Sequence, residues 1–171
     1  MLNFRDKVLY GILIIVIGVL AVTLIYPNFL ATKQVKIYFS GPQAQYLIPE
    51  TRKLRVNSLP TKLIKELIAG PESEKLGTTI PKGTELLNVK LEDKLAIVNF
   101  SQELTANHWG GTTGEMMTVY SIVNTLTQLD QIEEVQFVIE GEKLETLAGH
   151  LDLRDPLKAD KDLINKNSKK K

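Results

Sequence analysis

The sequence predicts an α+β domain, two helices packed on one face of a small mixed sheet, preceded by one transmembrane helix. Three observations favour this: a long uncharged apolar run near the N-terminus, several short segments in which apolar and polar residues alternate, and two longer segments with apolar residues at helical spacing. The chain has 171 residues, a length that suits one domain with appendages. It has no cysteine, which excludes disulfides, thiolate metal sites and a cysteine nucleophile.

The apolar run covers residues 8–26 and contains no charged side chain. As a helix it would extend about 28 Å, close to the thickness of a bilayer's hydrocarbon core. It is longer than the apolar region of a signal peptide and is followed by bulky residues rather than a cleavage site. We therefore predict an uncleaved anchor that Pro27 ends. Arg5 and Lys7 favour a short cytoplasmic head over residues 1–7 and a body outside the cytoplasm.

Alternating segments predict the strands. After a connector over residues 27–34, residues 35–40 alternate and predict a first strand. Residues 46–56 predict a second, more polar strand, and Pro49 within it indicates an edge or a bulge because proline gives no backbone donor. The remaining predicted strands are a hairpin with arms 87–91 and 95–100, with Leu87, Val89 and Leu91 on one face, a strand at 134–140 with Val135, Phe137 and Ile139 inward, and a short closing strand within 144–151.

Two segments have the apolar spacing of amphipathic helices. The first covers residues 60–69, and Gly70-Pro71 suits its end. The second covers residues 113–129, where Thr112 and Glu115 have the spacing of a capping box. Its predicted buried face consists of Met116, Val119, Tyr120, Val123 and Leu126. The order of elements is therefore ββαββαβ.

Charge is distributed unevenly along the chain. Residues 1–34 carry three basic and one acidic residue, residues 158–171 carry six lysines and two aspartates, and residues 35–157 carry 12 basic and 17 acidic residues. An acidic body repels phosphate backbones, so we expect no binding of nucleic acid. The lysine-rich segment 158–171 has few apolar residues and is predicted to be a disordered tail.

Three short motifs resemble a known family: Leu-Ile-Ala-Gly-Pro at 67–71, Ile-Pro-Lys-Gly-Thr at 80–84 and Ile-Val-Asn-Thr-Leu at 122–126. Together with the segments around them, they make residues 35–157 similar to the GerM domain, the bacterial sporulation and germination domain. The resemblance implies an extracytoplasmic, membrane-tethered domain without known enzymatic activity. Its implied fold is akin to the ring-building motif of secretion and sporulation channel proteins. The chain differs from lipoprotein members in lacking a cysteine, and it has one copy of the domain where some members have two.

Few residues in the sequence are candidates for catalysis or ligand binding. His108 and His150 are far apart and lack the spacing of a metal pair, so no metal, cofactor or catalytic residue is predicted. Gly110-Gly111 before a helix lacks the lysine of a phosphate loop. The adjacent carboxylates Glu92 and Asp93 suit a solvated turn rather than an acid–base pair. Trp109 is expected to pack on the next helix, with stacking on a sugar as the alternative.

These observations predict a non-catalytic interaction and assembly module in a bacterial envelope, possible roles being sporulation or germination. The expected partners are the lipid bilayer, through residues 8–26, and either further copies of the chain or other envelope proteins. The alternative is a module that binds cell-wall polymer or glycan through the loop around Trp109. An envelope enzyme is a third class, disfavoured because the sequence contains no recognisable catalytic motif.

Overall fold

The structure, a computed structural model, describes residues 3–164; within the first helix it does not describe the side chains of residue 7 and residues 22–30. The helices are α1 (Phe4–Leu30), α2 (Leu59–Ala69), α3 (Glu103–Ala106) and α4 (Thr112–Leu126). The strands are β1 (Thr32–Ser40), β2 (Leu47–Arg55), β3 (Leu86–Glu92), β4 (Leu95–Phe100), β5 (Glu134–Ile139), β6 (Glu142–Lys143) and β7 (Leu157–Lys158). The chain is a mixed α+β protein, as predicted.

The strands form two sheets rather than the one small mixed sheet predicted. Strands β1 and β2 pair with each other, antiparallel and without a register shift, as a two-stranded ribbon. Isolated bridges also join Ser40 to Gly77 and Leu47 to Ile164. The five-stranded sheet has the order β3-β4-β5-β6, and β7 also pairs with β5. Its central pair, β4 and β5, is parallel because α3 and α4 cross between them, and the other pairs are antiparallel. The sheet is therefore mixed, and the ribbon is separate from it.

Helix α4 occupies the centre of the body and contacts β1, α2, β5 and β7. Its side chains satisfy the edge of β1 that does not pair with β2. The Tyr38 N–H donates to Thr125 Oγ1 at 3.1 Å, the Lys36 N–H donates to Gln128 Oε1 at 2.8 Å, and Gln128 Nε2 donates to the Lys36 carbonyl at 2.6 Å. Polar side chains of α4 thus replace a neighbouring strand and fix the ribbon against the helix.

The prediction of one apolar stripe on this helix is therefore incomplete. Val119, Val123 and Leu126 are buried as predicted, but Met116 and Tyr120 of the predicted face are only half-buried. Thr118 and Ser121, outside that face, are buried. The reason is that α4 is covered on more than one side, by the ribbon as well as by the sheet. The predicted end at Leu129 is three residues late. Surface positions on this helix cannot be assigned from the apolar period alone.

The junction between α1 and the body is shorter than predicted. Helix α1 continues through Pro27 to Leu30, and only Ala31 separates it from β1, in place of a connector over 27–34. Proline has helical φ and removes a single donor, so a helix can pass through it near its end. The helix also begins at Phe4, within the predicted head. Within the described residues, no helix combines the length and the hydropathy that crossing a membrane requires.

The C-terminal segment is folded further than predicted. Residues 158–164 belong to the body: β7 pairs with β5, the Asp160 N–H donates to Asn124 Oδ1 at 3.0 Å, and the Leu47 N–H donates to the Leu163 carbonyl at 2.7 Å. These bonds join residues that are far apart in the sequence, and the amino-acid composition of a segment does not predict such bonds. Residues 165–171, the rest of the predicted tail, lie outside the described residues, as do residues 1–2 of the predicted head.

The closing strand predicted within 144–151 is also wrong. That segment is a loop, and the strands near it are β6 before it and β7 after it. The loop and the residues after it cover the outer face of β5, where Gln136 Nε2 donates to the Leu153 carbonyl at 2.8 Å. Strand β5 is consequently buried on both faces, beyond the predicted inward set of Val135, Phe137 and Ile139.

Candidate functional site

The N-terminal end of α4 holds a buried carboxylate with four donors. Glu115 is 0% exposed. Its Oε1 accepts hydrogen bonds from the Thr146 hydroxyl at 2.8 Å and from the N–H groups of Leu147 and Ala148, each at 2.9 Å. Its Oε2 accepts from the His150 N–H at 2.8 Å. A single side chain therefore organises the loop over residues 146–150, and we call this arrangement the Glu115 clamp.

The clamp replaces the predicted capping box. The N-cap position of α4 is Gly111, and Thr112 makes no side-chain cap bond. Burial by itself would raise the pKa of Glu115, but the N–H of Ala148, the Thr146 hydroxyl and the other two N–H groups outweigh it, so the pKa lies below its ordinary value. The carboxylate is ionised and fully occupied by internal donors, and a ligand would have to displace the loop to reach it.

His108 and Trp109 lie beside the clamp. His108 Nδ1 accepts from the Gly110 N–H at 2.9 Å, and Nε2 is 3.1 Å from Thr118 Oγ1, whose hydroxyl donates to the Thr79 carbonyl. This pattern requires a neutral imidazole with its proton on Nε2. Burial lowers the pKa of His108, in agreement with the neutral form. His108 is thus a hydrogen-bonded structural residue.

Trp109 is both packed and exposed. Its indole stacks on the His108 imidazole, with ring centroids 5.0 Å apart, and it lies over the first turn of α4, as predicted. A Cβ at Gly114 would meet the indole Nε1 at 2.4 Å, so the close approach requires glycine there. The side chain is nevertheless 53% exposed. Half of the side chain is therefore left accessible to a ligand.

The two histidines are not brought together as a site. His108 bonds to Thr118, and His150 contributes its backbone N–H to the clamp. Within residues 3–164, no group of three His, Asp or Glu side chains is placed to hold a metal ion. Asp93 occupies the tip of the β3–β4 hairpin, and Glu92 pairs with Lys90 at 2.5 Å. These carboxylates are exposed, as expected for a turn.

A buried guanidinium joins the ribbon to α2. Arg52 is 8% exposed; its Nη2 lies 2.6 Å from Glu50 Oε1 and 2.7 Å from the Gly70 carbonyl, and its Nη1 lies 2.5 Å from Glu66 Oε2. The guanidinium also stands 5.3 Å above the Phe39 ring. Glu50 in turn accepts from the N–H groups of residues 72 and 73. All of these partners are internal, so Arg52 supports the fold rather than a ligand site.

An apolar groove opens at the other end of α4, beside the junction with α1. It has a volume of about 530 Å³ and lies between the start of β1, the end of β2, the start of α2, the end of β3 and the residues that follow α4. Its lining is mainly aliphatic and also includes polar residues: Lys33, Ser58, Asp130 and Gln131. Val56 is 37% exposed and Leu91 is 41% exposed in its walls, and Leu59 and Leu129 form its buried floor. The Val56 N–H donates to the Ala31 carbonyl, which places the groove next to the end of α1.

The sequence did not predict this groove. The predicted alternation of Leu87, Val89 and Leu91 does not correspond to a buried face, because Leu87 and Leu91 are exposed and Val89 is half-buried. A register shift between Leu86 and Asn88 disturbs the alternation, and β3 is an edge strand. The register shift and the edge position of β3 both depend on how the strands pair in the folded chain.

Comparison with known protein families assigns most of this body. The Germane family, described as sporulation and spore germination, matches residues 36–145, from β1 to the loop that the Glu115 clamp holds. The chain belongs to the Germane family. The match covers more than half of the chain and confirms the resemblance to the GerM domain. A comparison with curated protein sequences finds no match.

Solved structures of GerM domains share the fold. The first GerMN domain of the sporulation protein GerM from Bacillus subtilis matches with a TM-score of 0.63 and 22% identity, over 74% of this chain and 97% of that one. The tandem GerMN domains of the same protein match with a TM-score of 0.64 and 22% identity, over 75% of this chain. This chain spans 46% of the tandem structure. A candidate lipoprotein from Clostridium perfringens matches at 28% identity and a TM-score of 0.55, over 75% and 88% of the two chains.

The motifs that carried the GerM resemblance occupy structural positions in this domain. Residues 67–71 end α2, where Gly70 has φ +90° and its carbonyl accepts from Arg52. Residues 80–84 form the turn before β3, with the Thr84 N–H donating to the Pro81 carbonyl. Residues 122–126 lie in the buried part of α4. The most family-specific pieces thus determine how the helices meet the sheets.

Proposed function

We propose that this GerM-type chain is a non-catalytic assembly module that α1 holds on the outer side of a bacterial membrane, and that it acts in sporulation or germination by associating with further copies of itself. The observation that carries the proposal is the apolar groove beside the α1 junction. Aliphatic side chains such as Val56 and Leu91 are exposed there, whereas polar groups at the opposite end of α4 are bonded internally. Exposed aliphatic side chains grouped in one groove are typical of a contact surface.

Anchoring is supported by the sequence of residues 8–26, which contains no charge. The large apolar side chains of α1 between Val8 and Val19 are 46–69% exposed. Water is a poor environment for such a helix, and hydrocarbon is a favourable one. Arg5 and Lys7, before the run, favour an N-terminus in the cytoplasm.

Association between copies is supported by the edge of the five-stranded sheet. Among the described residues, the outer edge of strand β3 pairs with no other strand, and an edge of this kind can pair with a neighbouring chain. The related GerM protein carries such domains in tandem, which keeps them close together within a single chain. In this chain, anchoring in one membrane would raise the effective concentration of separate copies in the same way.

Site-directed crosslinking in membranes tests the proposal. The chain has no cysteine, so single cysteines report unambiguously. We would place them in the groove (Leu91→Cys, Gln131→Cys) and, as matched exposed controls, near the clamp (Glu142→Cys, Glu145→Cys). We expect homodimeric products from the groove positions alone. Equal products from both sets, or none from either, would refute association through the groove; products with a single other protein would favour an envelope partner.

The orientation needs a separate experiment. A phosphatase fused at residue 171 is expected to be active, because the body would lie outside the cytoplasm. The fusion is placed after residue 164, since residues 158–164 belong to the folded body. An inactive phosphatase together with an active cytoplasmic reporter at the same position would reverse the orientation.

A second candidate function is binding of cell-wall glycan through Trp109, favoured by its 53% exposure beside an ordered loop. An indole face can stack on a sugar ring through its CH groups. Trp109→Ala would then abolish retention on purified wall polymer, while Tyr46→Ala, at another exposed aromatic residue, would not. Equal retention of both variants, or no retention of the unmodified chain, would eliminate this candidate.

A further inference from the structure

The two faces of the β1–β2 ribbon differ in how their charged residues are paired. The pairing places Val35 opposite Arg52 and Ile37 opposite Glu50, so these residues share the face that packs toward α2. On that face Arg52 is neutralised by two carboxylates. The other face carries residues 32, 34 and 36 of β1 and residues 51, 53 and 55 of β2, all of them exposed.

All charged residues on the exposed face are cations. It carries Lys36, Lys53 and Arg55, and the single acidic residue of the two strands, Glu50, lies on the opposite face. Within residues 3–164, none of the three cations forms an ion pair. On the opposite face, Arg52 pairs closely with Glu50 and Glu66, and Lys33 is exposed near the start of β1. Neighbouring positions on one face of a ribbon are about 7–8 Å apart, so the charges reinforce one another.

This cationic face begins directly at the end of α1. A single residue, Ala31, separates α1 from β1; Thr32 pairs with Arg55, and the Val56 N–H bonds back to Ala31. At about 3.4 Å per residue, Lys36 is about 17 Å along the strand from that junction and Arg55 is beside it. These distances are comparable with the thickness of the headgroup layer plus the distance over which salt screens ionic interactions above it.

At the far end of the ribbon the same face is covered. Tyr38 and Leu47 are buried there against Met117 and against residues 163 and 164. The face is therefore closed by protein where it is distant from α1 and left open, polar and cationic where it is near α1. That arrangement fits a flat anionic surface that meets the body at the α1 end.

We propose that this cationic face, carrying Lys36, Lys53 and Arg55, docks on the anionic lipid headgroups of the bilayer that holds α1. The inference rests on the proposed anchoring and deepens it, since headgroup contact would fix the tilt of the body above the membrane. It would also leave the apolar groove, at the same end, in one defined position relative to neighbouring copies. Basic residues near an anionic leaflet are attracted independently of specific contacts.

Reconstitution of the full chain into vesicles tests this inference. A fluorophore on Thr51→Cys, an exposed position on the cationic face, would report its distance from headgroup-labelled quencher lipids. The vesicles would consist of phosphatidylcholine alone or with 30% phosphatidylglycerol. We expect quenching to be greater in the anionic vesicles, and the difference to be lost at high salt because salt screens exposed charges.

The variant that removes the charges is Lys36→Gln/Lys53→Gln/Arg55→Gln, in the labelled background. Its matched control, Lys65→Gln/Lys75→Gln/Lys82→Gln, changes the net charge equally at exposed lysines elsewhere. We expect the first variant to lose the composition-dependent quenching and the control to keep it. Equal quenching in the two vesicle types, or equal loss in both variants, would overturn the docking surface. Flotation of the vesicles on a density gradient tests the anchor separately. A chain that floats with neither vesicle type would overturn the anchor and this inference together. A chain that floats but shows no lipid-dependent quenching would overturn this inference alone.

Discussion

The two ends of α4 differ in whether nearby polar groups are bonded within the body and whether nearby apolar groups are buried. At the N-terminal end, the Glu115 carboxylate receives four donors and His108 uses both ring nitrogens, so that the polar groups are satisfied within the body. At the other end, next to α1, Val56 and Leu91 are exposed in a groove. The exposed cations of the ribbon's outer face form no ion pair with any residue that the structure describes. The helix between them separates the ends by about 22 Å.

This difference distinguishes residues that stabilise the fold of this GerM-type domain from residues at the surface proposed for association. A buried, fully bonded carboxylate stabilises a loop and leaves little capacity for a ligand. Exposed aliphatic groups and unpaired cations are unfavourable or neutral for the folded chain alone, and they become favourable when a partner covers them. Substitutions at the clamp should therefore change stability, and substitutions at the α1 end should change association.

The largest effect is expected at the clamp. Glu115→Ala leaves three N–H groups and a hydroxyl without their acceptor in a buried place, so we expect a loss of about 4 kcal/mol in the free energy of unfolding. Chemical denaturation measures it, with Glu145→Ala, an exposed glutamate on the same loop, as the control. Similar stabilities of the two variants would contradict the clamp.

The clamp also gives a pH dependence of known sign. Since the pKa of Glu115 is lower in the folded chain than its ordinary value of 4.5, the folded state binds fewer protons than the unfolded state near that pH. Its contribution to stability is complete above that value and is lost as the pH falls through the folded pKa. Glu115→Gln should therefore lose less stability on acidification below pH 4.5 than the unmodified chain.

A slightly smaller effect is expected where the ribbon meets α2. Arg52→Ala leaves Glu50 without its guanidinium partner in a largely buried place, and we expect a loss of about 3 kcal/mol in unfolding free energy. The adjacent Lys53→Ala removes an exposed, unpaired cation and should change stability by less than about 0.5 kcal/mol. Comparable losses in the two variants would contradict the electrostatic distinction between the ribbon's faces.

At the apolar groove, the effect should fall on association rather than stability. Leu91→Asn changes a side chain that is already 41% exposed, so we expect a stability change within about 1 kcal/mol. Crosslinking from Gln131→Cys should nevertheless decrease markedly. The control, Leu87→Asn, alters another exposed leucine of β3 that does not line the groove, and it should leave the products unchanged. Equal decreases would indicate that β3 as a whole, rather than the groove, forms the contact.

The smallest effect is expected at the histidines. His108→Gln/His150→Gln removes one ring that bonds to Gly110 and Thr118 and one whose backbone alone serves the clamp, so complementation of a deletion strain should be retained within a few-fold. Because the pKa of His108 is lowered, the unmodified chain should lose a little stability as the pH falls below 6.5, and the variant should not. Loss of function in a folded variant would point to chemistry at these residues.

The sequence by itself determined the local elements and the family. The periods of residues 35–40, 60–69 and 134–140 lie within or overlap β1, α2 and β5, because side-chain alternation follows directly from backbone geometry. The hairpin predicted over residues 87–100 is β3 and β4, although Glu92, predicted in the turn, ends β3 and leaves a two-residue turn. The motifs at the end of α2 and before β3 identified the GerM domain, which the Germane match confirms.

Tertiary structure decided what each element packs against, and with it the surfaces that carry the proposals. The Thr112–Glu115 spacing is compatible with a capping box, but Glu115 bonds to a loop more than 30 residues away. The separation of the ribbon from the sheet, and the exposure of Leu91, depend on contacts between distant segments. Periodicity reports which side of an element is apolar, whereas burial depends on whether another part of the chain covers that side, and this is a property of the whole fold.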